Sequence, residues 1–231
     1  MHKDKITSLF DQQAASYDRQ WSRLAPINST LHLLSDAVLS GLPSTVHMLC
    51  VGSGTGAEIL HFAQKFPQWR FTAVEPSSAM LEVFGTKAEE AGILTRCTLH
   101  AGYLDSLPTE VTFDAATALL VSQFILDRDL RSAFFRNIAS RLGPQGILIS
   151  SDLAGDLREM ECQNLLEVWF QLMTGNGIDP EGVRKMREAY TRDVAVLPPQ
   201  DVRDIIIHGG FPAPVRFFQA GMIHAWFAKR G

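Results

Sequence analysis

The sequence is poor in cysteine, and its three thiols, Cys50, Cys97 and Cys162, are scattered and never fall in a C-x-x-C pair. An odd, unpaired set excludes a disulfide framework and a cysteine zinc site, so no metal is expected, and it suits a reducing compartment. Long hydrophobic runs are missing too. The longest, Ala115 to Val121, falls far short of the roughly 20 residues of a membrane helix. The start, Met-His-Lys-Asp-Lys, lacks an apolar signal core with a small-residue cleavage site. These absences predict a soluble, cytoplasmic protein with no membrane partner. Nor does charge of one sign dominate: 21 Lys and Arg face 25 Asp and Glu, for a net charge of −4. That argues against nucleic acid as a partner. There is no internal repeat and no low-complexity segment.

What is present is an ordinary globular composition, 46% hydrophobic and 20% charged over 231 residues. A chain of this length can bury about 70% of its unfolded surface without staples. Phe10, Ala14, Tyr17, Trp21 and Leu24 recur at spacings of 4, 3, 4 and 3, one face of a leading helix that breaks before Pro26. A second helix is predicted over about 29–39. Strands follow at Val46–Val51, Arg70–Val74, Thr95–Leu99, Phe113–Val121 and Ile147–Ser151, alternating with helices at Ala57–Phe66, 78–91 and Asp127–Leu142. Such alternation with short connections predicts a parallel sheet covered by helices on both faces. The last third differs. Helices are expected over Leu157–Thr174, stopped by Gly175-Asn176-Gly177, from Asp179-Pro180 to Tyr190, and over Gln200–His208. Two adjacent strands near 215–219 and 222–228 predict an antiparallel hairpin.

The sharpest motif is Val51-Gly52-Ser53-Gly54-Thr55-Gly56-Ala57, between the first strand and its helix. Glycines there let the backbone turn tightly and approach a ligand, at the strand end where open parallel sheets bind ligands. Gly52-x-Gly54-x-x-Ala57 alone also satisfies a dinucleotide fingerprint. Glu75, ending the second strand, can accept ribose hydroxyls in either case.

Further segments separate the readings. Met48 to Gly56 resembles the first motif of class I S-adenosylmethionine-dependent methyltransferases, and Phe71-Thr72-Ala73-Val74-Glu75-Pro76-Ser77 their second. His100 to Pro108 falls where that family has its adenine loop. Phe113-Asp114-Ala115-Ala116-Thr117 is similar to the fourth-strand motif, and Leu142 to Ser150 to the turn before the fifth strand. Phe10-Asp11-x-x-Ala14-x-x-Tyr17-Asp18 resembles the leading helix of small bacterial members. The resemblance implies a Rossmann-like, doubly wound, mostly parallel seven-stranded sheet with a C-terminal antiparallel hairpin. It implies a single domain over 1–231: an N-terminal helical lid (1–42), a cofactor-binding half (43–152), and substrate-side helices with the terminal hairpin (153–231).

It also implies S-adenosylmethionine as cofactor, with roles carried over residue by residue. Gly52, Gly54 and Gly56 line the methionine moiety. Glu75 takes the ribose hydroxyls. Met80 packs on the adenine, with Tyr103 and Leu104 at its edge. Leu119 forms a wall near the methionine amino group, and Tyr17 reaches the methionine carboxylate from the lid. Two positions depart from the family pattern: Cys50 stands where an acid often helps orient the methionine amino group, and Tyr103 where the adenine loop usually carries Asp. A small-molecule acceptor is expected, with Trp21, Gln123, Arg184 and Arg187 as substrate contacts. No spacing identifies a general base among His32, Asp152, His208 and His224. Alternatives are a carboxy-S-adenosylmethionine synthase-like or tRNA-modifying relative, and a cofactor-binding module without methyl transfer. A short-chain NAD(P) oxidoreductase is excluded, because Tyr17, Tyr103 and Tyr190 have Trp21, Leu107 and Val194 where Tyr-x-x-x-Lys needs lysine.

Overall fold

The computed structural model describes residues 3–174 and 180–231. The expected helix stop at Gly175-Asn176-Gly177 and the expected cap at Asp179 lie outside the described residues. Seven strands form one sheet: β1 (His47–Val51), β2 (Arg70–Glu75), β3 (Cys97–Ala101), β4 (Phe113–Leu119), β5 (Leu142–Leu153), β6 (Val215–Ala220) and β7 (Ile223–Lys229). Their order is β3-β2-β1-β4-β5-β7-β6. The first five are parallel to one another, whereas β7 runs antiparallel between β5 and β6. This is the expected Rossmann-like sheet with its terminal hairpin.

Nine α-helices are described: α1 (Lys3–Gln13), α2 (Tyr17–Gln20), α3 (Ala25–Leu39), α4 (Ala57–Lys65), α5 (Ser78–Glu90), α6 (Arg128–Arg141), α7 (Met160–Thr174), α8 (Pro180–Arg192) and α9 (Pro199–His208). The leading segment is broken twice, by single 3₁₀ turns at Ala14–Ser16 and Ser22–Leu24. Pro26 then sits in the first turn of α3, where its missing N–H costs nothing.

Alternation along the central strands explains the layers. Leu49 and Val51 join Ala116, Leu148 and Trp226 in a core under α6 and α9. Met48 and Cys50 join Phe71, Ala73 and Ile149 in a second core under α3, α4 and α5. Successive side chains of a strand point to opposite faces, so apolar strands without polar alternation require cover on both sides. A third cluster, with Leu24, Leu31, Trp169, Phe170 and Met222, packs the leading segment and α7 against the β6–β7 end.

One strand exceeds its expected span. β5 begins at Leu142 rather than Ile147, because its pairing with β4 jumps from Phe113↔Leu142 to Ala115↔Ile147. The Gly143-Pro144-Gln145-Gly146 stretch is therefore an irregularity within the strand, with Gln145 at φ 61°. The functional consequence of the order lies at its centre. β1 neighbours both β2 and β4, so the chain reverses direction across the sheet there, which opens a crevice beyond the strand ends.

Candidate functional site

Three glycines at alternate positions, Gly52, Gly54 and Gly56, take left-handed φ values of 69°, 52° and 78° directly after β1. The loop is pinned to β2: the N–H groups of Gly52 and Ser53 both donate to the Val74 carbonyl, at 2.7 and 3.3 Å. A Cβ at Gly56 would overlap the Phe84 ring, so this glycine lets α4 approach α5. A Cβ at Gly54 would meet open space, so this position faces the crevice.

Glu75 ends β2 beside that loop and is only 6% exposed. Its Oε2 accepts the Gly54 N–H at 3.0 Å and its Oε1 the Ser77 N–H at 2.9 Å. Burial pushes its carboxyl above the usual range, the two backbone donors oppose that, and Asp11 adds to it. Ser77 in turn caps α5, its hydroxyl accepting the Met80 N–H at 3.1 Å.

The leading segment lies across these loops. Asp11 Oδ1 accepts from the Ser77 hydroxyl at 2.6 Å and from the Ala79 N–H at 3.4 Å. Asp18 accepts the Thr55 hydroxyl at 2.6 Å and pairs with the Lys87 ammonium. Burial alone would raise the Asp18 carboxyl, but the hydrogen bonds from Lys87 and Thr55 and the Lys87 charge hold it below its usual value. The Thr7 and Tyr103 hydroxyls are 3.1 Å apart, and Phe10 meets Phe124 edge-on with centroids 5.6 Å apart. Tyr17 thus comes close to the glycine loop. Its hydroxyl is pushed up to about 12 by burial and by the carboxylates of Glu75, Glu58 and Asp18, and so stays protonated.

The structure gathers most of the expected cofactor residues here. Gly52, Gly54 and Gly56 form the loop, Glu75 and Tyr17 lie beside it, and Tyr103 meets Thr7 of the leading segment. Met80 and Leu104 are buried beside it, the Leu104 carbonyl held by Arg141 at 2.9 Å. Leu119 ends β4, followed by Leu120 at φ 58°, whose N–H donates to Ser151. A left-handed leucine is strained, and such residues cluster where a fold holds a ligand wall. Two polar groups in this region have no partner among the described residues, the buried Ser53 hydroxyl and the Trp21 indole N–H.

The expected substrate contacts fare differently. Gln123 is 5% exposed, and its Oε1 accepts the Leu153 N–H at 2.7 Å, so its carbonyl ties the turn after β4 to β5 instead of facing a ligand. Arg184 pairs with Glu181 and Glu188, and Arg187 with Glu167, on the exposed face of α8. Tyr190, on the same helix, turns inward and accepts the Trp169 N–H at 2.8 Å. Asp152 is sealed in the interior, held by the Ser122 hydroxyl and by Arg131 at 3.1 Å.

Glu58, in the first turn of α4, is the residue that sequence reading passed over. It is 6% exposed, and no cation pairs with it among the described residues. Burial pushes its carboxyl up to about 7, its own backbone N–H opposes this, and Glu75 adds to it. The signal was available: Glu58 falls on the α4 stripe that holds Ile59, Phe62 and Ala63, where an acid has no ordinary place.

Comparison with known proteins bears on the fold and on the central segment. Residues 48–146, from the start of β1 into β5, match the family described as methyltransferase domain. That segment is a methyltransferase domain. The expected kinship with class I S-adenosylmethionine-dependent methyltransferases is borne out, because the matched segment holds the glycine loop, Glu75 and the end of β4. The fold is shared with DhpI, solved as a complex with S-adenosylhomocysteine (16% identity, 97% of this chain and 95% of that one, TM-score 0.66). It is shared also with an O-methyltransferase family 2 protein from Planctomyces limnophilus DSM 3776, solved with apigenin (18% identity, 93% and 62% covered, TM-score 0.60). An O-methyltransferase family protein from Burkholderia thailandensis is a third such structure (10% identity, 100% and 61% covered, TM-score 0.63). The chain spans only about three-fifths of the length of the last two. No functionally curated protein matches the sequence. Among the described residues, no helix is long and apolar enough to cross a membrane.

Proposed function

We propose that this methyltransferase domain binds S-adenosylmethionine at the glycine loop and moves its methyl group to a small-molecule acceptor. The observation that carries the reading is the pairing of Gly54 with Glu75 across the ends of β1 and β2, beside the point where the sheet order reverses. The residues fit the group. Each Glu75 oxygen accepts one backbone N–H and keeps a lone pair for a ribose hydroxyl. Gly54 leaves open space, and the unpartnered Ser53 hydroxyl supplies a further polar group in the loop.

Bound there, the cofactor supplies a methyl group already activated by its sulfonium. The chain's task is then to orient the acceptor and exclude water. Gly52, Gly54 and Gly56 offer close backbone approach to the methionine end. Met80, Leu104 and Tyr103 flank the purine, and Leu119 forms a wall. The Tyr17 hydroxyl, kept protonated, is a donor toward the methionine carboxylate. The lid, held by Asp11 and Asp18, covers the loop. Trp21, half-buried in the lid with its indole N–H free of a partner, is the polar contact we assign to the acceptor. Gln123, Arg184 and Arg187 are engaged in the contacts described above, and we assign them no such role. Apigenin on the Planctomyces relative supports a small organic acceptor of this kind.

The test is thermal denaturation of the full chain with S-adenosylmethionine, S-adenosylhomocysteine, NAD and NADP. The two adenosyl sulfur ligands are expected to stabilise it, by about 2.7 kcal/mol at a hundredfold excess over the dissociation constant. Stabilisation by a nicotinamide dinucleotide alone would refute the reading.

A further inference from the structure

Resting on that cofactor reading, we infer that Glu58 receives the ammonium group of the cofactor's methionine end. Among the described residues, the other acidic groups near the glycine-loop end of the first strand are already engaged. Cys50, on β1, is fully buried in the apolar core, where its thiol is held well above its usual value and stays neutral. Glu75 already has one backbone N–H on each oxygen. Glu58 lies in the first turn of the helix that the glycine loop opens, only 6% exposed, with no cation paired to it among the described residues. A buried carboxylate without a counter-charge is costly. An arriving ammonium removes that cost and forms a charge-assisted hydrogen bond in its place.

The groups around Glu58 support this assignment. Its charge is felt by Tyr17 from the leading segment and by Cys50 from β1, and Glu58 itself feels the charge of Glu75 from β2. Asp18, also on the lid, is neutralised by Lys87 of α5. The titratable residues of α3 are engaged elsewhere. Asp36 pairs with His61 of α4 at 2.9 Å, and His32 packs on the same ring at 5.2 Å. The unpartnered Ser53 hydroxyl lies in the loop between these elements and adds a second polar group for the same end of the ligand. The cation at the glycine-loop end of the crevice, Lys87, is engaged by Asp18 and the Thr55 carbonyl, which leaves Glu58 without one. That end is suited to an α-amino acid moiety whose ammonium comes with the ligand.

The assignment is tested by calorimetric titration with two probes that share the adenosine and thioether and differ in the amino acid. S-adenosylhomocysteine carries it, and 5′-methylthioadenosine does not. Glu58→Gln keeps the shape and hydrogen-bonding capacity of the side chain and removes its charge. It is expected to weaken S-adenosylhomocysteine by roughly 10- to 100-fold, the factor a hydrogen bond to a charged group supplies, and to leave methylthioadenosine within about twofold. In the unaltered protein the ratio of the two affinities is expected to rise between about pH 6 and pH 8, as Glu58 ionises, a readout that needs no variant. If Glu58→Gln weakens both probes equally or neither, or if the wild-type ratio is flat with pH, the assignment falls while the cofactor reading stands. If the unaltered protein binds neither probe, the cofactor reading fails and takes this assignment with it.

Discussion

Gly54 and Gly56 share a left-handed backbone but not their surroundings, and this separates their substitutions. Alanine at either position strains the backbone by about 1–2 kcal/mol. At Gly56 the added methyl also overlaps Phe84 in the core, an overpacking cost of about 1–3 kcal/mol. Gly56→Ala is therefore expected to lower the melting temperature by roughly 10 °C, and Gly54→Ala by a few degrees. Calorimetric melts of the two variants check the order, and equal losses would contradict it. Glu75→Ala removes the acceptors of the Gly54 and Ser77 N–H groups, so about 1–3 kcal/mol of stability is expected to go with the ribose contact. Glu58 makes stability depend on pH. Its carboxyl titrates near 7 in the folded chain and at the ordinary, lower value when unfolded. The folded state thus binds the extra proton, and this contribution is present at low pH and lost as pH rises through about 7. The full swing is roughly 3 kcal/mol. Glu58→Gln should therefore gain in melting temperature over the wild type from pH 5 to pH 8; parallel curves at all pH values would show that Glu58 does not titrate in this range.

At the scale of elements, the leading segment is held by side chains and not by a strand. Asp11 bridges to Ser77 and the start of α5, and Asp18 to Thr55 and Lys87. Paired Asp11→Ala and Asp18→Ala substitutions are expected to speed amide exchange in residues 52–56 and 77–79 while the central strands keep their protection. Uniform acceleration across β1 and β4 would show instead that the segment is part of the core. The periodicity of Phe10, Ala14, Tyr17, Trp21 and Leu24 revealed a buried face but not the two 3₁₀ breaks, because those follow from docking on α5 and α7 and not from local preference. The β5 start was missed for the same kind of reason. A register jump against β4 is a pairing property, and Gly143-Pro144 read locally as a turn.

Across the whole molecule, the strand count, the parallel core and the hairpin were legible because nearly every strand is apolar and bounded by glycine or proline. The glycine loop and Glu75 were legible because their chemistry is local. The fates of Gln123 and Asp152 were not, since each is decided by a partner distant in sequence: Leu153 for Gln123, Arg131 for Asp152. The central claim is that Gly54 and Glu75 together form the adenosyl cofactor's seat. It is tested most directly by titrating S-adenosylhomocysteine and NAD into the full chain and into Glu75→Ala. The account predicts that the wild type binds S-adenosylhomocysteine and not NAD, and that Glu75→Ala, still folded, binds it roughly 10- to 100-fold more weakly. Binding of NAD alone, or an unchanged affinity in a folded Glu75→Ala protein, would contradict it.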